Sequence, residues 1–235
     1  MLIKFYKYIL KKNNDPYSVN LTLFVYNSDE INNLSSSQNI DKVFLKLFSE
    51  FLTYETSKHI LLQIINVDIP MINLDEFLVS IPELKQLTDI SNVQNKVVSI
   101  GITEHFFKMV NLAEYLTNSN KSDEVFSDVI FQVLHVLSVI QNKYSSFRHN
   151  NLHVKYMDGY AIGKPKQEKY MHDGNEYIVE NQGFLYKMSN FERAIISDML
   201  PNENIDNKIC HVCNGHGIIS VISGMPPVHT KNQQK

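Results

Sequence analysis

Apolar side chains change period along the chain, and each change marks an element. From Ser18 to Tyr26 the run SVNLTLFVY is β-branched and apolar, which predicts a strand. The Asn- and Ser-rich stretch 27–39 then reads as an exposed loop. Between Ile40 and Leu52, Val43, Phe44, Leu47, Phe48 and Phe51 recur at helical spacing, and Asp41 is placed to favour the helix's positive end. Buried strands are expected at His59 to Val67 and at Val97 to Thr103. The clearest helix starts after Ser122, with Asp123 and Glu124 in its first turn. Its apolar positions Phe126, Val129, Ile130, Val133, Leu134, Leu137 and Ile140 form a wide face, expected to be core and not a cofactor box. A loop from Ser145 to Leu152 follows. Two strands are predicted around Glu176 to Val179 and Phe184 to Met188, with Asn181-Gln182-Gly183 as the turn between them. Beyond Ser197 the pattern dissolves into polar residues, Gly and Pro. Strands first and a helix-dominated region later place the chain in the α+β class.

Composition narrows the partners more than the fold. Hydrophobic residues at 43% and charged residues at 20% are ordinary globular usage, and 235 residues can bury a sizeable core in one or two domains. A formal charge of −3 predicts no strong sequence-independent attraction to nucleic acid or to an anionic membrane. No run approaches the ~18 apolar residues of a membrane span. The stretch Met1 to Leu10 carries Lys4 and Lys7 and lacks the long apolar region of a secretory signal. Two cysteines, Cys210 and Cys213, are too few for a disulfide framework. The expectation is a soluble intracellular protein.

The chemistry-bearing stretches are SSFRHNNLHVKY, Ser145 to Tyr156, directly after the long helix, and FLYKMSNFERA, Phe184 to Ala194. Together they resemble the catalytic loop and metal-binding loop of protein kinases, and in wording the kinase-like proteins of large DNA viruses. Upstream, Ile102-Thr103-Glu104 followed by Asn111-Leu112-Ala113-Glu114-Tyr115-Leu116 looks like a kinase hinge leading into a first C-lobe helix. The resemblance covers roughly residues 18 to 197 and is strongest from about 97 onward. It implies a protein-kinase-like α+β fold with a reduced N-lobe over 1–104 and a truncated C-lobe over 105–197, followed by an irregular tail over 198–235. Glu104, in the hinge, would lie beside a nucleotide.

Residue by residue, the resemblance implies impaired chemistry. Kinase catalytic loops read H-R-D-x-x-x-x-N; here the run is His149-Asn150-Asn151-Leu152-His153-Val154-Lys155-Tyr156. Asn151 replaces the aspartate that accepts the substrate's proton, and an amide is no base at neutral pH. Tyr156 replaces the magnesium-binding Asn, and a phenol is a poor ligand for a hard cation. The D-F-G metal loop becomes Asn190-Phe191-Glu192. No Gly-rich loop precedes the first strand, since Gly101 is the first glycine of the chain. Thr22 falls where the phosphate-binding lysine would lie, and Asp41 could stand in for the helix glutamate that pairs with it. The chain also ends before the A-P-E segment.

Blander readings stand beside these. In the family His149 is chiefly structural, bonding backbone near the metal loop. Asn190 and Glu192 are the positions at which residual ATP or magnesium would be held, although a solvated or ion-paired Glu192 is the simpler assignment. Cys210, Cys213, His216 and His229 could assemble a zinc site, but only one paired motif is present and many such cysteines bind nothing. Lys164, Lys166 and Lys169 form a small basic group that a solvated loop explains. The expectation is a catalytically impaired kinase-like (pseudokinase) protein in host cytoplasm or virion, with no cofactor, acting by binding or scaffolding. Loss of the last C-lobe helices implies exposed apolar surface, hence a protein partner or self-association. The alternatives are an active or weakly active serine/threonine kinase using ATP and magnesium, and a structural virion component.

Overall fold

The computed structural model describes residues 2–12, 15–34, 36–74, 95–105, 109–118, 122–162, 164–197, 199–202 and 205. The sequence-predicted tail site at Cys210, Cys213, His216 and His229 lies outside the described residues.

Strands β1 (Leu2–Lys12) and β2 (Asp15–Asn27) pair antiparallel, and helix α1 (Ser37–Thr53) follows. Strands β3 (Gln63–Pro70) and β4 (Lys96–Glu104) complete an antiparallel sheet of order β1-β2-β4-β3. The helix forms because Ile40, Phe44, Phe48 and Phe51 repeat every three to four residues and all four are buried. Buried Asn39 at its start donates to the carbonyls of Glu30, Ile31 and Asn33, which folds the preceding loop onto the helix. Sequence reading began a strand at His59. Instead, 59–61 is a separate extended segment in which Ile60 bridges Met188 in parallel, with the sheet strand starting at Gln63.

The second half contains β5 (Met109–Asn111), α2 (Leu112–Thr117) and α3 (Ser122–Lys143). Four short strands follow, β6 (Phe147–Arg148), β7 (Asp158–Ala161), β10 (Phe184–Lys187) and β11 (Ile195–Ile196), with a hairpin of β8 (Lys166–His172) and β9 (Asn175–Asn181) between β7 and β10. Asn111 caps α2, its side chain accepting from Ala113 N at 3.0 Å. The small sheets run β10-β7-β5 and β11-β6. Gly159 is required where β7 meets β10, since a Cβ there would lie 2.4 Å from the Leu185 carbonyl oxygen. Few helices on small antiparallel sheets agree with the α+β class.

Two expectations are corrected. The strands around Glu176–Val179 and Phe184–Met188 are not partners: β9 pairs with β8 and β10 with β7. The hairpin turn is Asp173-Gly174, both residues at positive φ (49° and 78°), the conformation an Asp-Gly turn favours. Helix α3 is also rotated from its predicted face. Val125, Val129, Val133, Val136 and Ile140 are buried together with Asp128, Gln132 and His135, while Phe126, Ile130 and Leu134 are exposed. Polar groups earn these inner positions through specific bonds. Gln132 donates to Phe184 O and accepts from Tyr186 N, both at 2.8 Å, and so reads the backbone of β10.

Among the described residues, no helix is long and apolar enough to cross a membrane. One aromatic cluster joins the two halves. Phe44 and Phe48 of α1 meet Phe147 and Phe191, with ring centroids between 5.0 and 5.9 Å.

Candidate functional site

Segment 149–156 leaves β6, and segment 189–193 leaves β10 just before β11, which pairs with β6. That pairing sets the two sequence-predicted loops side by side. His149 is fully buried, and its Nε2–H donates to Ser189 O at 2.9 Å. Burial holds its imidazole down at about 4, so it is neutral at pH 7. Its ring packs 5.0 Å from that of Phe191. The histidine therefore binds one loop to the other through backbone and ring contacts.

Asn190 has a left-handed backbone (φ 62°, ψ 51°), a conformation Asn tolerates better than most residues. Its Nδ2 donates to Tyr156 O at 2.9 Å, and its own carbonyl lies 3.5 Å from Asn151 Nδ2. Asn150, also at positive φ, donates to Arg193 O at 3.2 Å. Buried Asn202 donates to Glu192 O (2.9 Å) and Ala194 O (3.2 Å). Side-chain amides thus tie both loops together through carbonyl groups. The Glu192 side chain is exposed.

Asp41 does not act at the helix end. The helix begins at Ser37, and the Asp41 carboxylate instead accepts from Phe191 N at 2.6 Å. Helix α1 therefore grips the backbone of segment 189–193 directly, and a charge-assisted bond of this length is a strong one. Thr22 sits on β2 opposite Gly101. The neighbouring cation belongs to the helix: Lys42 Nζ donates to Ser99 Oγ at 3.2 Å, lies 3.5 Å from Asp68 on β3, and stands over the Tyr26 ring. Desolvation lowers the Lys42 pKa.

Glu104 turns inward. Its Oε1 accepts from Leu62 N at 2.8 Å and from Lys187 Nζ at 2.9 Å, and Lys187 donates further to Ile60 O at 3.2 Å. Both side chains are nearly inaccessible, and the Lys187 ammonium also faces the Tyr160 ring at 5.6 Å. Sequence reasoning missed Lys187. The available signal was a lysine inside the apolar strand FLYKM, a place where burial demands an anionic partner. Asn202 gave no comparable signal.

A hard cation on this floor would need anionic oxygens. Asn190 and Asn151 do not supply them, because both are neutral amides, their nitrogens directed at the carbonyls of Tyr156 and Asn190. Among the described residues, no group of three His, Cys, Asp or Glu side chains is arranged to hold a metal.

No family model matches the chain. It is 25% identical over 181 residues to an uncharacterized protein of Acanthamoeba polyphaga mimivirus, an alignment covering 77% of this chain and 20% of that protein. It is 26% identical over 201 residues to a putative serine/threonine-protein kinase of the same virus, covering 77% of this chain and 43% of the relative. The chain spans less than half the length of either. These likenesses support a distant, kinase-like viral relationship.

Proposed function

We propose that the protein is a catalytically impaired, protein-kinase-like module that works by binding and not by phosphoryl transfer. The observation that carries this reading is the amide-for-carboxylate exchange at two adjoining loops. Asn151 and Asn190 stand where a proton acceptor and a metal ligand would be required, and Asn190's amide nitrogen is committed to the Tyr156 carbonyl. Further support comes from topology. A helix between the second and third strands of the first sheet contacts the loop that carries Phe191, and His149 lies behind that phenylalanine. The mixed α and β architecture, with its sheet order β1-β2-β4-β3 and its ladders β6–β11 and β7–β10, is compatible with the reduced kinase lobe pair that the resemblance implies. Phe126, Ile130 and Leu134 leave an apolar stripe exposed on α3, which supports a partner or self-association. The similarity to two mimivirus proteins supports a viral, kinase-like kinship, and a role in infected-cell cytoplasm or in the particle is part of the proposal.

Phosphotransfer assays with magnesium and with manganese, paired with nucleotide titration by thermal shift, test the reading. The expected result is no transfer above background and no metal-dependent nucleotide stabilisation. Robust transfer that disappears in Asn151→Ala and Glu192→Ala would establish a kinase with displaced ligands instead.

A further inference from the structure

The β8–β9 hairpin folds back across α3 and onto the segment leaving α1, and two imidazoles, His59 and His135, meet it there. Buried Tyr170 stands at the centre. Its ring stacks on His59 at 5.5 Å and meets the His135 ring at 4.9 Å and the Phe131 ring at 5.0 Å. His59 Nδ1 lies 3.1 Å from Tyr186 O, and a carbonyl can only accept, so the proton is on Nδ1. That leaves the Nε2 lone pair to accept from Tyr170 OH at 3.2 Å. His135 Nε2–H likewise donates to Met171 O at 3.1 Å, while its Nδ1 is buried and without a partner.

We propose that this hairpin is an acid-releasable clamp, docked while His59 and His135 are neutral and detached when they take up protons. A second proton on His59 reverses its bond to the Tyr170 hydroxyl, whose oxygen must then accept, and places a charge inside a buried ring stack. A second proton on His135 creates a buried N–H⁺ with no acceptor. The surrounding charges do not rescue either ion. From the α1 side comes Lys58, 5.2 Å from the Tyr170 ring, and from β10 comes Lys187 with its partner Glu104. The hairpin contributes His172, which contacts Ser138, and Glu168, already engaged by Lys58 and Lys166. Helix α3 contributes Asp128, whose Oδ2 accepts from Gln182 N at 2.9 Å. Burial lowers the pKa of both imidazoles, His59 to about 3. A folded-state pKa below the free value favours docking fully above that value and progressively less as pH falls beneath it.

Release would not stay local. The segment 59–61 is bonded to β10's end, Met188 N donating to His59 O at 2.7 Å and Leu61 N to Met188 O at 3.0 Å. The next residues, Ser189 and Asn190, belong to the site described above. Acid thus reaches the two loops through the hairpin, whether or not the site is that of an impaired kinase.

Hydrogen exchange on the full chain at about pH 7.5 and about pH 5, corrected for the intrinsic pH dependence of exchange, tests the clamp. Opening of 166–181 should increase about 30-fold where release exposes His59, with a further increase in the same direction from His135, measured relative to the α3 amides of 129–140. His135→Leu should remove most of that histidine's share. Tyr170→Phe should loosen the hairpin at neutral pH, because it removes the donor to His59 Nε2. Equal loss of protection in hairpin and α3, no loss in either, or an undiminished acid response in His135→Leu would overturn the proposal.

Discussion

Asn190 concentrates the physics of the site in one residue. Its left-handed backbone positions an amide nitrogen against Tyr156 O, and only a side chain with a donor is satisfied there. Asn190→Asp would present a carboxylate to a carbonyl and should cost about 1–2 kcal/mol at neutral pH, read by urea unfolding. Millimolar magnesium should not recover the loss, since among the described residues no group of three His, Cys, Asp or Glu side chains is arranged to hold a metal and the nearby Asp41 carboxylate is engaged by Phe191 N. The Glu104–Lys187 pair is the other sensitive point. Removing one partner strands a buried ion, so Lys187→Met and Glu104→Gln should each destabilise by about 3–5 kcal/mol. The double variant should be less damaged than the sum of the singles, measured as a double-mutant cycle by chemical denaturation.

At the scale of elements, the tightest fit is between β7 and β10. Gly159→Ala forces a methyl to within 2.6 Å of the Phe184 ring as well as onto a backbone oxygen, so strand separation should cost about 1–3 kcal/mol, seen as a lowered melting midpoint by circular dichroism. The positions of α1, α3, β2 and β4 were legible in the sequence because apolar period and length agree there. The facing of α3 was not, since its apolar residues span more of the circumference than the core covers and three polar residues compete for the interior. The hairpin mates were misread for a related reason. The Gly at 183 drew the turn to itself, but Asn181 is used internally, its Oδ1 accepting from Gly183 N at 2.8 Å, while Asp173-Gly174 closes the real turn. Within the site, the loop motifs were visible as wording. Their hydrogen bonds were not, because Asp41 and Phe191 are 150 residues apart and only the folded chain brings them together.

For the molecule as a whole, neutral buried histidines set an acid limit. His149 at about 4 and His59 at about 3 both lie below the ordinary imidazole value of 6.5. Stability they permit is complete above pH 6.5 and is lost as pH drops toward those lower values. By pH 5 each should remove about 2 kcal/mol, so urea midpoints should fall steeply between pH 7 and 5. The shared aromatic cluster has a different outcome. Phe44 and Phe48 are supplied by one half of the polypeptide, Phe147 and Phe191 by the other, and neither pair has a complete hydrophobic environment without its counterpart. Severing the backbone between Glu104 and Met109 should therefore yield two pieces that melt without cooperativity when separate and recover a sharp transition when mixed, as complementary fragments of one interdependent body.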